Sequence, residues 1–259
     1  MDIFLQNVTF FFLTLARIIS FLAVSPFFGN RTFLITARIS LALLLTILLF
    51  PMVVDVAPLH QTTGSFIELF LIAAKEVLAG LILGFAAQFI FWAVRMAGQI
   101  ISFLIGFSIV NSFNPDVMEQ MPIIAQLKWL LAMVLFLVMD GHFLLLEGLA
   151  KSFQWIPLLQ VNFSGSLVDY FVRLTGEVFV IAIQISAPIL VTIFMTNVSL
   201  AMLARMVPQM NVFILGFPLT ISLGILTLMI TLPAFLVVWQ HLLGSLREAL
   251  ATFFRLLGP

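Results

Sequence analysis

The sequence predicts an all-α, multi-helix integral membrane protein. Three observations carry this. Apolar residues make up 63% of the 259 positions, against roughly 45–50% in ordinary soluble domains. Charged residues make up 8%, where about 25% is usual. The mean hydropathy is +1.25, and it is carried in long runs of Leu, Phe, Ile and Ala without the period-2 alternation of a transmembrane β-barrel. A soluble globular enzyme is excluded, because the chain lacks the polar groups to cover a wet surface. A disordered chain is excluded by the same numbers.

Seven apolar segments follow one another, at about 3–25, 39–54, 67–94, 97–113, 129–150, 174–205 and 212–240. A spanning helix needs about 20 predominantly apolar residues. The first segment opens with Asp2 and has Arg17 as its first basic residue. It lacks the positive start of a secretory signal, so it is expected to stay in the mature chain. Ser25-Pro26 and Gly29-Asn30 close it, and Pro51 to Pro58 close the second. The segments 39–54 and 97–113 are short enough to be re-entrant or partly inserted. If all seven cross with the N-terminus outside, Arg31, Arg38, Arg95, Lys151, Arg173, Arg247 and Arg255 fall inside and Lys128 and Arg205 outside. The excess of basic residues then favours N-out and C-in.

The third segment carries Glu76, Gly80, Gly84 and Gln88 at i+4 intervals, on one helix face. Gly80-x-x-x-Gly84 admits another backbone closely. Two readings stand: an ion or proton path, or a helix-packing interface whose carboxylate needs a partner. Gly98, Ser102 and Gly106 form a second small-residue face, read as tight packing or as a substrate groove. The connector 106–122 mixes the breakers Gly106, Pro115 and Pro122 with Phe107, Ile109, Phe113, Met118 and Met121. Such a stretch either packs on its own bundle or lines a cavity. Asp140-Gly141-His142 is read as a structural turn or interface near the membrane surface rather than as a proton-transfer pair. Gln184, Pro188, Thr192, Thr196 and Ser199 mark the sixth segment, and Arg205, Pro208, Gln209 and Asn211 mark the tip of a helical hairpin returning as 212–240.

Other classes are removed by absence. The net charge is zero, with no basic patch to track nucleic acid. There is no cysteine, and His60, His142 and His241 lie far apart. Neither a metal site nor a cofactor is therefore expected. No phosphate loop, His-Glu-x-x-His or Gly-x-Ser-x-Gly occurs, so no enzymatic activity is expected. The sequons at Asn7, Asn162 and Asn197 are read as chance. No internal repeat is visible.

The motifs together resemble the FliR family, in its flagellar rather than injectisome branch. The likeness lies in Arg17-Ile18 through Pro26-Phe27-Phe28-Gly29, in Ala37-Arg38-Ile39-Ser40-Leu41-Ala42, and in Glu76 with Gly80 and Gly84-Phe85. Ala97-Gly98-Gln99, Gly106, Gly141-His142 and the hairpin from Arg205 through Pro208-Gln209-Met210-Asn211-Val212-Phe213 complete it. It covers essentially the whole chain, and the hairpin is its most specific part. The resemblance implies a subunit of the type III export gate in the bacterial inner membrane, at the flagellar basal body. The expected partners are FliP-type and FliQ-type subunits, FlhB-type and FlhA-type export proteins, unfolded flagellar substrates and membrane lipid. Residues 1–175 would be FliP-like and 176–259 a FliQ-like hairpin with a C-terminal tail. The connector 106–122 would be the plug that seals the axis. In such an assembly apolar helices pack on other subunits, so hydropathy reports burial as well as spanning. The competing reading is a secondary transporter or ion channel using Lys75, Glu76 and Arg95.

Overall fold

The structure is a computed structural model describing residues 2–30, 33–56, 66–107, 122–209 and 211–258. Eight helices and no strand occupy the described residues: α1 Asp2–Val24, α2 Ile35–Val56, α3 Phe66–Ile105, α4 Ile123–Val138, α5 Gly141–Trp155, α6 Gly165–Met206, α7 Val212–Ile230 and α8 Leu232–Leu257. The all-α class holds, but the division into segments changes. The third segment and the fourth up to Ile105 are one helix, α3, because Arg95-Met96-Ala97 contains no breaker. Its 40 residues correspond to about 60 Å of helix, twice the ~30 Å hydrocarbon core. The fifth segment is two helices, α4 and α5, bent by 66° at Asp140, whose φ of 57° is left-handed. Aspartate is among the few residues that enter that region readily. The seventh is α7 and α8, bent by 55° beside Pro233, which cannot donate a backbone hydrogen bond.

By length and composition, four helices among the described residues can cross a bilayer: Gln6–Val24, Ile35–Val56, Ile67–Ile105 and Gly165–Met206. Counting each bent pair as one span raises this to six. Among the described residues, length and composition thus give four to six spans where the orientation above supposed seven, so the N-out, C-in parity is not supported by this helix division.

The chain divides into two compact units. Unit 1 is Met1–Ile90, Phe136–Leu174 and Leu243–Pro259. Within it α1 packs along α2, and α2 touches α5. The turn after α1 is closed by the Gly29 N–H donating to the Ser25 carbonyl at 2.7 Å. Arg38 fixes the start of α2 to that turn, donating from Nε to the Phe28 carbonyl at 2.9 Å. Phe89, Phe171 and Phe253 meet in one ring cluster.

Unit 2 is Phe91–Leu135 and Thr175–Leu242. Its core joins Ile101 and Ile105 of α3, Ile124 of α4, Ile189 and Ile193 of α6, and Leu228 of α7. The α6–α7 hairpin is antiparallel: Thr227 Oγ1 donates to Thr192 Oγ1 at 3.3 Å, and Gly216 faces Leu200. Hydroxyls on α6 are satisfied within the helix. Thr192, Thr196 and Ser199 donate to the carbonyls of Pro188, Thr192 and Met195 at 2.8–2.9 Å. An apolar surrounding demands such internal partners.

Gly224 of α7 leaves room for Ile105, and a Cβ there would fall 2.5 Å from Ile105 Cγ1. Gly224→Leu is expected to destabilise unit 2 by about 1–3 kcal/mol through overpacking. A lowered melting temperature of the detergent-purified chain checks this; an unchanged one contradicts the packing described.

Candidate functional site

The residues of the α3 stripe all meet α1. Glu76 accepts a hydrogen bond from Arg17 Nε at 2.6 Å, and Arg17 Nη2 lies 2.5 Å from the same carboxylate oxygen. A Cβ at Gly80 would collide with Ser20 Oγ and the Arg17 carbonyl oxygen. One at Gly84 would lie 2.8 Å from the Phe21 carbonyl oxygen. Gln88 Nε2 donates to the Val24 carbonyl at 2.8 Å. Positions 76, 80, 84 and 88 thus pair with 17, 20, 21 and 24, in the order of two parallel helices. The glycines remove the side chains that would hold the backbones apart.

Both charges are fully buried, and neither depends on the other alone. Arg17 Nη1 donates to the carbonyls of Ile156 at 2.9 Å and Ser152 at 3.3 Å. Its guanidinium carbon sits 4.5 Å from the Phe153 ring centroid. The second oxygen of Glu76 accepts from the Leu159 N–H at 3.2 Å. Leu159 has a φ of 73°, a left-handed conformation costing a bulky L-residue about 1–2 kcal/mol. The carboxylate therefore holds a strained turn in place. The network ties α1, α3 and the loop after α5 together, and it leaves no acid or base free for chemistry. Lys75 and Arg95 are exposed while Glu76 is buried, so these three charges do not line one common face.

The second small-residue face lies in unit 2. A Cβ at Gly98 would collide with the Ala125 backbone of α4. Ser102 is buried and donates to the Gly98 carbonyl at 2.8 Å. α3 ends in a Schellman cap: the Gly106 N–H donates to the Phe103 carbonyl at 3.1 Å and the Phe107 N–H to the Ser102 carbonyl at 3.0 Å. Gly106 has a φ of +95°. Phe107 packs against the unit 2 core. A cavity of about 350 Å³ opens beside Gly106, lined in part by Leu104, Asn197, Leu200 and Phe217. Of the residues assigned to a plug, Ile109, Phe113, Pro115, Met118 and Met121 lie outside the described residues. At the hairpin tip Arg205, Pro208, Gln209 and Asn211 are all exposed. The sequence reading passed over Lys128. It is buried in α4, with Nζ 4.3 Å from the Phe235 ring centroid, a cation–π contact.

A profile of the bacterial export proteins, family 1, matches residues 8–246. The chain belongs to that family. The flagellar biosynthetic protein FliR of Bacillus subtilis (strain 168) is 34% identical over 251 residues, covering 96% of this chain and 95% of the relative. The proteins of the same name from Pectobacterium carotovorum subsp. carotovorum and Escherichia coli (strain K12) are 29% and 28% identical, each covering 93% of this chain and 91% of the relative. In this member of the bacterial export proteins, the Arg17 and Glu76 motifs, far apart in sequence, are two halves of one buried pair. The segments Pro26–Gly29 and Ala37–Arg38 are likewise two sides of one turn.

Removing one partner of a buried pair leaves an uncompensated charge, at a cost of about 3–5 kcal/mol. Arg17→Met and Glu76→Met are each expected to destabilise the chain severely, and the double variant by much less than their sum. Thermal melting across this double-mutant cycle measures the coupling; additive losses would show that the two groups do not act as a pair. At the end of α3, Gly106→Ala forces a side chain into the left-handed region. It is expected to cost about 1–2 kcal/mol, read in the same melting assay.

Proposed function

We propose that this chain is a subunit of the flagellar type III protein export gate in the bacterial inner membrane. The observation that carries the reading is the near full-length similarity to flagellar biosynthetic proteins FliR, at 96% coverage of this chain and 95% of the relative. On this reading it assembles with FliP-type and FliQ-type subunits at the centre of the basal body. FlhB-type and FlhA-type proteins lie against and below that assembly, and unfolded flagellar substrates pass along its axis. Residues 1–175 take the FliP-like part and 176–259 the FliQ-like hairpin. The protein works as channel wall and seal, not as an enzyme.

The surface supports an assembling role. In the apolar window of α6 only 33% is buried within the chain, and in that of α2 only 17%. Large apolar side chains such as Phe179, Phe194, Met202 and Met229 stand exposed. Lipid or neighbouring subunits must cover them, and helices of 40 and 42 residues outrun one bilayer by a wide margin. A subunit packed against others accounts for both facts. The transporter alternative gains no support, because Glu76 is closed off by Arg17 and the other two charges point elsewhere.

The connector 106–122 is the proposed seal, rooted at the capped Gly106 and carrying Phe107, Ile109, Phe113, Pro115, Met118 and Met121. Large apolar groups close a pore to ions by dewetting. Co-expression with FliP-type and FliQ-type subunits should yield a stable complex in mild detergent. Deleting 109–121 should leave that complex assembled but leaky, raising membrane conductance and uptake of an impermeant dye. Failure to co-purify would overturn the gate reading. Equal tightness at equal assembly would overturn only the role of the connector.

A further inference from the structure

Two helix faces in unit 1 enclose a basic groove. On α5, Glu147, Gly148, Lys151 and Trp155 stand on one side of the helix. On α8, Arg247, Ala251 and Arg255 follow at i+4 intervals. Between them lies a cavity of about 410 Å³, within the size range of small-ligand sites. At its floor the two helices approach closely: a Cβ at Gly148 would lie 3.0 Å from Leu250 Cδ1. Three cations line it against one carboxylate, and that carboxylate is engaged, with Lys151 Nζ 2.7 Å from Glu147 Oε1. The groove therefore carries a positive excess.

Its walls are not those of a water-filled ion site. Leu144, Leu250 and Phe254 line it beside the cations. Trp155 stands at its edge, 57% exposed, in the manner of aromatic residues at a membrane–water boundary. The end of α8 is two-faced: Leu246, Leu250, Phe253 and Leu257 are buried, while Arg247, Glu248 and Arg255 are exposed. Its apolar face is packed inside unit 1, so the charged face is the one left open. α5, one wall of the groove, also packs on α2, whose apolar window is only 17% buried.

We propose that the α5–α8 groove binds the phosphate headgroup of an anionic phospholipid, with the acyl chains on its apolar shoulder. Arg247 and Arg255 supply planar forks suited to phosphate oxygens. Lys151 adds a point charge, and Leu144, Leu250 and Phe254 contact the glycerol and upper chain. An acidic protein segment would use the cations but not this apolar wall. The assignment requires only that the chain sits in a membrane, and it is independent of the export reading.

The test uses the full chain purified in mild detergent, with native mass spectrometry after titration of phosphatidylglycerol or phosphatidylcholine. Phosphatidylglycerol should bind with at least tenfold preference, and inorganic phosphate at millimolar concentration should not displace it. Each headgroup-facing cation contributes about fivefold, so the Arg247→Gln, Arg255→Gln double variant should bind phosphatidylglycerol about 25-fold more weakly, with phosphatidylcholine unchanged. Glu147→Gln raises the positive excess and should tighten binding; it guards against a double variant that fails to fold. Equal retention of the two lipids overturns the proposal, as does an unmoved affinity in Glu147→Gln. Displacement by inorganic phosphate at the concentration where the lipid binds would assign the site to free anions. Displacement by an acidic peptide at lower concentration would assign it to a protein partner. Either result overturns the lipid assignment.

Discussion

The pairing of Arg17 with Glu76 is the constraint on which unit 1 rests. Taking a guanidinium and a carboxylate out of water costs several kcal/mol per ion, and only close, well-bonded partners offset it. The two groups therefore fix where α1 lies along α3, to within a residue. Once that register is set, the glycines at 80 and 84 must fall against the α1 backbone, and Gln88 must reach the Val24 carbonyl. The same charges reach beyond the seam. Arg17 gathers the carbonyls at the end of α5, and Glu76 holds Leu159 in its left-handed turn. One ion pair thus orders the path of the chain between α5 and α6.

Unit 2 joins the two helices of its hairpin through hydroxyls rather than through a buried ion pair. Its hydroxyls bond back to carbonyls one turn earlier, and its core is built from isoleucines on three helices and Leu228 of α7. The surface left over is apolar. That is the physical content of the high hydropathy: part of it measures lipid exposure, and part measures surface reserved for other proteins. Hydropathy alone does not divide the two.

The helical class, the α3 stripe, the small-residue face and the hairpin were legible in the sequence, because each shows as spacing along one element. The partner of Glu76 was not, since Arg17 lies 59 residues away and reads locally as the first basic residue of an apolar run. A usable signal was present: an arginine inside a spanning segment demands a carboxylate, and Glu76 is the acidic residue at comparable depth in another. The turn at Asp140-Gly141-His142 was legible as a polar interruption, although the run around it was counted as one segment. The bend beside Pro233 was not, because hydropathy runs unbroken from 212 to 240 and a break at one proline leaves no trace in a hydropathy window. The fusion of two segments into α3 reverses that error, with a polar Arg95 taken for a boundary that helix geometry does not require.

The Schellman cap at Gly106 also decides where the chain leaves the core. The helix is ended by two backbone bonds and one residue without a Cβ, so its last turn is set by Ser102, Phe103 and Gly106. Ile105 is thereby held at one height against Gly224, and Phe107 is turned back onto the unit 2 core.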